Sequence, residues 1–271
     1  MSESLTLFTE LKIDDDLVLK NRMVLAPLTR VRCGRTFTPN QAVVDYYTQR
    51  ASAGLLISEG TLISEQATGW AGAAAIYEPQ HVEGWKKVTK SVLDAGGLIF
   101  CQLWHMGRCS SSVFFGIHPV SASSIPAEGQ VTDWDRSKVP FEVPRALETH
   151  EIASIVEQYR VAAINAKEAG FNGVEIHSAN GYFLDQFLQS CANARTDRFG
   201  GSFENRFRIV EEVLSAVLSV FPSKHVGIRL SPNGSFGSMG SADNFEAFTH
   251  YITRLNQYNL AYLHIPDGLL F

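Results

Sequence analysis

Six short apolar runs in this chain each end in polar side chains, and those ends are where chemistry would sit. Thr29 and Arg30 follow the run at 23–27. Glu59, Gly60 and Thr61 follow 55–58, and Gln102, Trp104 and His105 close 98–103. His177, Ser178, Asn180 and Tyr182 follow 173–176. Arg229, Ser231 and Asn233 end 226–230, and His264 and Asp267 accompany 261–265. No lysine stands at any of these ends, so an amine for Schiff-base chemistry is missing. There is no HExxH and no convincing carboxylate cluster for a metal. What remains is a set of neutral hydrogen-bonding groups with an arginine, Arg229. Such a set suits a carbonyl oxygen and an electron-rich ring better than it suits hydrolysis. Each of these residues also has a plain structural use. His177 can be a satisfied core histidine, Tyr182 a packing residue, Arg229 a rim ion pair, Gln102 a partner for buried backbone, and Trp70 and Trp104 ordinary core.

The elements that would position these groups alternate. Helical periodicity runs over 79–95, 151–169, 203–221 and 245–258. In the second, Ile152, Ile155, Val156, Tyr159 and Ala163 recur at helical spacing; in the third, Phe207, Val210, Leu214, Val217 and Phe221 form one stripe. At 38–41, Thr38 reads as an N-cap, Pro39 as the first helical residue and Gln41 as the far side of a capping box. Ser202 reads as the cap of the helix that follows the charged turn at 195–208. Strand–helix–strand alternation implies parallel strands with crossover helices. Nearly all-apolar strands imply a sheet covered on both faces. In a parallel barrel the active site forms at the C-terminal strand ends. An open doubly wound sheet would alternate in the same way, but the first strand-to-helix turn carries no GxGxxG. The Ser-, Pro- and Gly-rich stretch 105–147 is expected to be a functional loop or lid.

Composition narrows the partners. The chain has 271 residues, 45% of them hydrophobic, which suffices for one sizeable core, and a formal net charge of -5, which argues against a nucleic-acid surface. No apolar run approaches the ~18 residues of a membrane span, and the N-terminus lacks the pattern of a secretory signal. The four cysteines, Cys33, Cys101, Cys109 and Cys191, are scattered without a CxxC pair. That disfavours zinc, iron–sulfur and disulfide frameworks. A cytoplasmic protein with no membrane partner is the expectation.

Continuous stretches carry a resemblance. Residues 21–30 read NRMVLAPLTR, 49–60 QRASAGLLISEG, 100–108 FCQLWHMGR, and 226–232 VGIRLSP. Residues 172–208 read NGVEIHSANGYFLDQFLQSCANARTDRFGGSFENRFR. In order and spacing these resemble the old yellow enzyme family, and are similar also to the oxophytodienoate reductases. The His177-x-x-Asn180 form resembles the yeast-type branch, since the plant enzymes usually carry a second histidine where Asn180 stands. The resemblance implies an α/β fold, the (β/α)8 TIM barrel of the FMN-linked oxidoreductases. It implies reduction of the C=C bond of small enones and enals, with FMN as cofactor and NADPH or NADH as reductant. It places Pro27, Thr29, Gly60, Gln102 and Arg229 against the flavin. His177 and Asn180 would donate to the substrate carbonyl, Tyr182 would supply the proton, and Trp70 and Trp104 would line the substrate pocket.

Six strands can be counted in the sequence, against eight in the family barrel. The expectation is therefore one barrel domain over 1–271 that lacks its last two β/α units, a C-terminally truncated form. In barrels that bind phosphorylated ligands the phosphate commonly sits on the loops after the seventh and eighth strands. The resemblance thus leaves two main readings, an ene-reductase or an inactive, flavin-free fragment of one, with a non-flavin barrel enzyme on the same scaffold as a third.

Overall fold

The computed structural model describes residues 6–266. A hairpin comes first, β1 (Leu11–Asp14) and β2 (Leu17–Leu19). It is followed by β3 (Val24–Leu25), α1 (Gln41–Thr48), β4 (Leu55–Ile57), β5 (Thr61–Leu62), β6 (Ala74–Ala75), α2 (Pro79–Asp94) and β7 (Ile99–Trp104). The long loop contains β8 (Val120–Ser121), β9 (Gln130–Thr132), β10 (Lys138–Pro140) and β11 (Arg145–Ala146). Then come α3 (Thr149–Glu168), β12 (Gly173–His177), α4 (Phe183–Leu188), α5 (Phe203–Leu218), β13 (Val226–Arg229), α6 (Asn244–Leu255) and β14 (Tyr262–His264). The main sheet runs β3-β4-β7-β12-β13-β14, all neighbours parallel. It has the six expected strands in sequence order, curled as part of a TIM barrel.

Side chains alternate across these strands between two cores, as a pleated strand dictates. Leu56, Ile99, Cys101, Leu103, Val174, Ile176, Val226 and Ile228 point outward and join Val88, Ile155, Tyr159, Val210 and Leu214 of the helices. Leu55, Ile57 and Phe100 point inward and pack on Leu17 and Leu19 of the hairpin. The hairpin therefore seals the N-terminal end of the barrel, leaving the C-terminal end open for a site. Each fully buried side chain of this kind contributes about 1.5–3 kcal/mol.

Inside the barrel, register stacks the polar residues in rows. Gln102 pairs with Glu175, Glu175 with Gly227 and Gly227 with Tyr262. One row nearer the open end, His177 pairs with Arg229 and Arg229 with His264. Gly227 is required by its neighbour: a Cβ there would stand 2.3 Å from the Tyr262 ring.

One cap differs from expectation. The N-cap of α1 is Asn40, whose side chain accepts from Ala42 N at 3.0 Å and donates to Arg32 O at 2.6 Å. Thr38 instead turns its hydroxyl to Thr36 O. Asn40 satisfies helix and loop at once, which the Thr38–Gln41 box would not. Ser202 caps α5 as its position suggests, accepting from Asn205 N. The stretch 105–147 is a loop carrying a β9–β10 hairpin and the short parallel pair β8–β11. Strands of two or three residues leave no periodicity to read. Among the described residues no helix is long and apolar enough to cross a membrane.

Candidate active site

A cavity of about 480 Å³ opens at the C-terminal ends of the strands. Pro27 and Thr29 reach it from the loop after β3, Gln102 and Trp104 from β7, His177 from β12, Asn180 and Tyr182 from the turn into α4, and Arg229 from β13. Trp70 closes one side. Leu28, Gly234 and Phe236 complete the lining; the sequence reading did not single them out. Gly60 is not on the lining. Its missing side chain makes room for Trp104, since a Cβ there would stand 2.5 Å from the indole. Asp267 lies outside the described residues.

The turn 177–182 is shaped by backbone. Asn180 and Gly181 both have positive φ, +55° and +71°. Asparagine tolerates this conformation and glycine adopts it freely. A Cβ on Gly181 would stand 2.4 Å from Phe236 O, so the turn and the 234–241 loop touch backbone to backbone. Asn180 N donates to Ser231 Oγ at 2.6 Å, Gly181 N to Asp185 Oδ2 at 2.8 Å, and Gln186 Nε2 to Gly181 O at 2.7 Å. Three hydrogen bonds, two from α4 and one from the loop after β13, thus hold the turn that carries Asn180 and Tyr182.

Burial sets the electrostatics. His177 titrates well below the usual histidine range, first because it is buried and then because Arg229 and His264 stand near. It is a neutral imidazole at neutral pH, with one N–H to give. Burial, with Cys109 nearby, pushes the Tyr182 phenol up, and Arg229 opposes this only in part, so the hydroxyl keeps its proton. Burial also lowers Arg229, while Glu175 and Tyr182 favour its charge. Arg229 Nε, His177 Nδ1 and Trp104 Nε1 are buried without a hydrogen-bond partner among the described residues. Unpartnered buried polar atoms are rare in folded proteins, and at a cavity wall they are what a bound polar ring would satisfy. A cation, an amide, a hydroxyl and a proline around one slot fit the flavin of FMN.

Two supports were not legible from the sequence. Glu175, read there as part of an apolar strand, is fully buried in the barrel and holds Gln102 and His264. The one signal was an acidic residue inside the run GVEIH. Arg108 is also fully buried; it donates to Ile125 O at 3.1 Å and Gly237 O at 2.9 Å. It thereby fixes the loop that sets Phe236 against Tyr182, ring centroids 5.9 Å apart. His105, though at a strand end, belongs to the core. Its Nδ1 accepts from Gly107 N at 3.0 Å, its ring packs on Phe183 at 4.4 Å, and burial lowers it to about 3. Glu59 accepts from Arg30 N at 3.2 Å, and burial pushes it up to about 7. Asp14, Asp16 and His225 are grouped closely enough to hold a metal ion, but they lie at the sealed end of the barrel, away from this cavity.

Parallel strands with crossover helices, a sealed bottom and a polar cavity at the C-terminal rim define a TIM-barrel enzyme scaffold. The chain belongs to the NADH:flavin oxidoreductase / NADH oxidase family, whose model matches residues 6–267. It is 43% identical over 260 residues, 93% of its length, to a probable flavin mononucleotide-dependent alkene reductase of Leishmania infantum. It is 47% identical over 237 residues, 85% of its length, to a flavin oxidoreductase of Emericella nidulans. It superimposes on the old yellow enzyme homologue from Zymomonas mobilis with a TM-score of 0.93 at 40% identity over 96% of the chain. The chain spans 71% of the first relative, 60% of the second and 73% of the solved structure.

Proposed function

We propose that this protein reduces the C=C bond of small α,β-unsaturated carbonyl compounds, drawing on NADPH or NADH through FMN in a cytoplasmic setting. The carrying observation is the convergence on one cavity of two hydrogen-bond donors, His177 and Asn180, a protonated phenol, Tyr182, and a cation, Arg229. FMN, when bound, would supply the hydride-transfer chemistry that links the nicotinamide to the alkene. Pro27, Thr29, Gln102 and Arg229 would hold the ring. Gly60 would serve it indirectly, by seating Trp104. Arg229 would bring positive charge to the electron-rich reduced ring.

The remaining residues act on the substrate. His177 and Asn180 donate to the carbonyl oxygen and stabilise the enolate-like charge that develops there, which is oxyanion-hole logic. Being neutral, His177 polarises the carbonyl without protonating it. Tyr182 keeps its proton across the neutral range and gives it only to a strongly basic carbon centre. Trp70 and Phe236 line the cavity as partly exposed apolar walls for the substrate. The free cysteines are consistent with a reducing compartment. The test is cyclohexenone with NADPH in the FMN-loaded protein: saturation of the ring is expected, and no turnover overturns the reading.

A further inference from the structure

Beneath the cavity, Glu175 sits fully buried on β12, two residues before His177 and on the same face of the strand. One of its oxygens, Oε1, accepts from Gln102 Nε2 at 2.7 Å; the other, Oε2, lies 3.0 Å from His264 Nδ1. A carboxylate only accepts hydrogen bonds. Gln102 must therefore turn its NH2 toward Glu175, because the flipped amide would set two oxygens against each other at hydrogen-bond distance. The orientation of a glutamine amide is ordinarily decided by its network, and here one partner decides it. Among the described residues the Gln102 amide bonds only through Nε2, which leaves its Oε1 free on a side chain that lines the cavity. His264 occupies the second carboxylate oxygen and keeps Glu175 from rotating away. The next residue in the row is Gly227, and the Tyr262 phenol fills the space its missing side chain leaves beside Glu175.

We propose that Glu175 is a positioning residue that fixes the Gln102 amide with its carbonyl toward the cavity, so that the site selects a ring presenting an N–H at that point. Arg229, on the same cavity, has only donors. An acceptor at Gln102 beside donors at Arg229 is complementary to a ring edge that alternates N–H with carbonyl oxygens, the imide edge of an isoalloxazine. This inference rests on the flavin reading above and adds what makes the site discriminate. It also accounts for a buried acidic residue within an apolar strand, which as packing alone would be costly.

The experiment compares FMN with 3-methyl-FMN, which has lost the imide N–H, by fluorescence titration of the apoprotein. Wild type is expected to prefer FMN by roughly tenfold, the worth of one buried hydrogen bond. In Glu175→Gln the amide at 175 can donate to Gln102 as well as accept from it, so Gln102 flips freely and the preference falls to within about twofold. Glu175→Asp keeps the charge but withdraws the carboxylate by one methylene, and the preference falls there too. It carries the test should Glu175→Gln not fold, as judged by its melting curve. A purely structural role would weaken both flavins alike and leave the ratio unchanged; that result in a folded variant overturns the proposal. Wild type that binds FMN without preferring it also overturns it, while leaving the proposed function standing. Wild type that binds neither flavin overturns both.

Discussion

The imidazole of His177 lies parallel to the indole of Trp104, planes 15° apart and centroids 6.1 Å apart. Tyr182 stands edge-on to both, 5.1 Å from His177 and 5.0 Å from Trp104. Offset and edge-to-face aromatic contacts of this kind add about 0.5–1.5 kcal/mol beyond burial. The three rings thus form one aromatic block, which on the proposed reading holds the carbonyl donor and the proton source together, and a change to any one ring reaches the others.

Tyr182→Phe leaves the ring packing in place and removes only the proton. Reduction of the flavin by NADPH should be nearly unchanged. Transfer to cyclohexenone should slow by about 10²–10⁴, the usual worth of a positioned acid. Stopped-flow absorbance separates the two half-reactions, and equal losses in both would contradict the assignment.

His177→Ala and Asn180→Ala each remove one of the two donors proposed for the substrate oxygen. Phenol, which offers an oxygen but no reducible bond, should bind about tenfold more weakly to each variant, and weaker still to the double variant. Titration of the flavin absorbance with phenol reads this. Unchanged affinity in the double variant would place the oxygen elsewhere.

Gly60→Ala tests a residue that acts without lining the cavity. The new methyl would stand 2.5 Å from the Trp104 ring. Trp104 lines the cavity and packs on His177 and Tyr182, so displacing its indole disturbs both the cavity and these two rings. Overpacking of this sort costs about 1–3 kcal/mol. The expected outcome is a lower melting temperature together with weaker phenol binding, whereas a fall in stability alone would uncouple Gly60 from the site.

Acid sensitivity should trace to His105. Its folded pKa is lowered to about 3 by burial, against about 6.5 in the unfolded chain. Below pH ~6.5 the unfolded state takes up a proton that the folded state refuses, so this residue subtracts stability as pH falls toward 3. His177, also depressed, acts with the same sign. Glu59 and Asp185, pushed up to about 7 and about 6 by burial, act oppositely. The folded state keeps their protons after the unfolded state has lost them, so their contribution fades as pH rises through ~4–7. His105→Asn keeps an acceptor for Gly107 N and removes the titration. Its stability relative to wild type should improve as pH drops below 6.5, by up to about 1.4 kcal/mol per pH unit. Urea melts between pH 7 and 4.5 check this; parallel curves for the two proteins would refute it.

The order and number of the main strands, the helices between them and the strand ends that carry Thr29, Gln102, His177 and Arg229 were legible in the sequence. Periodicity and covered apolar runs are local properties, and a parallel barrel assigns function to one end of every strand. The stretches 172–208 and 100–108 carried the family. What only the tertiary structure decided are relationships between residues far apart in the chain. Gly60 turned out to answer to Trp104, and His105 to the core. Asn40 caps α1 because Arg32 O lies within its reach, which the Thr38–Gln41 spacing does not reveal. Above all, the sequence shows Glu175 as an acidic residue in an apolar run and says nothing of its partners. Those are set by strand register, which aligns Gln102 with Glu175 and brings His264 close from two strands away. Register follows from how a whole sheet packs, and no single strand contains that information.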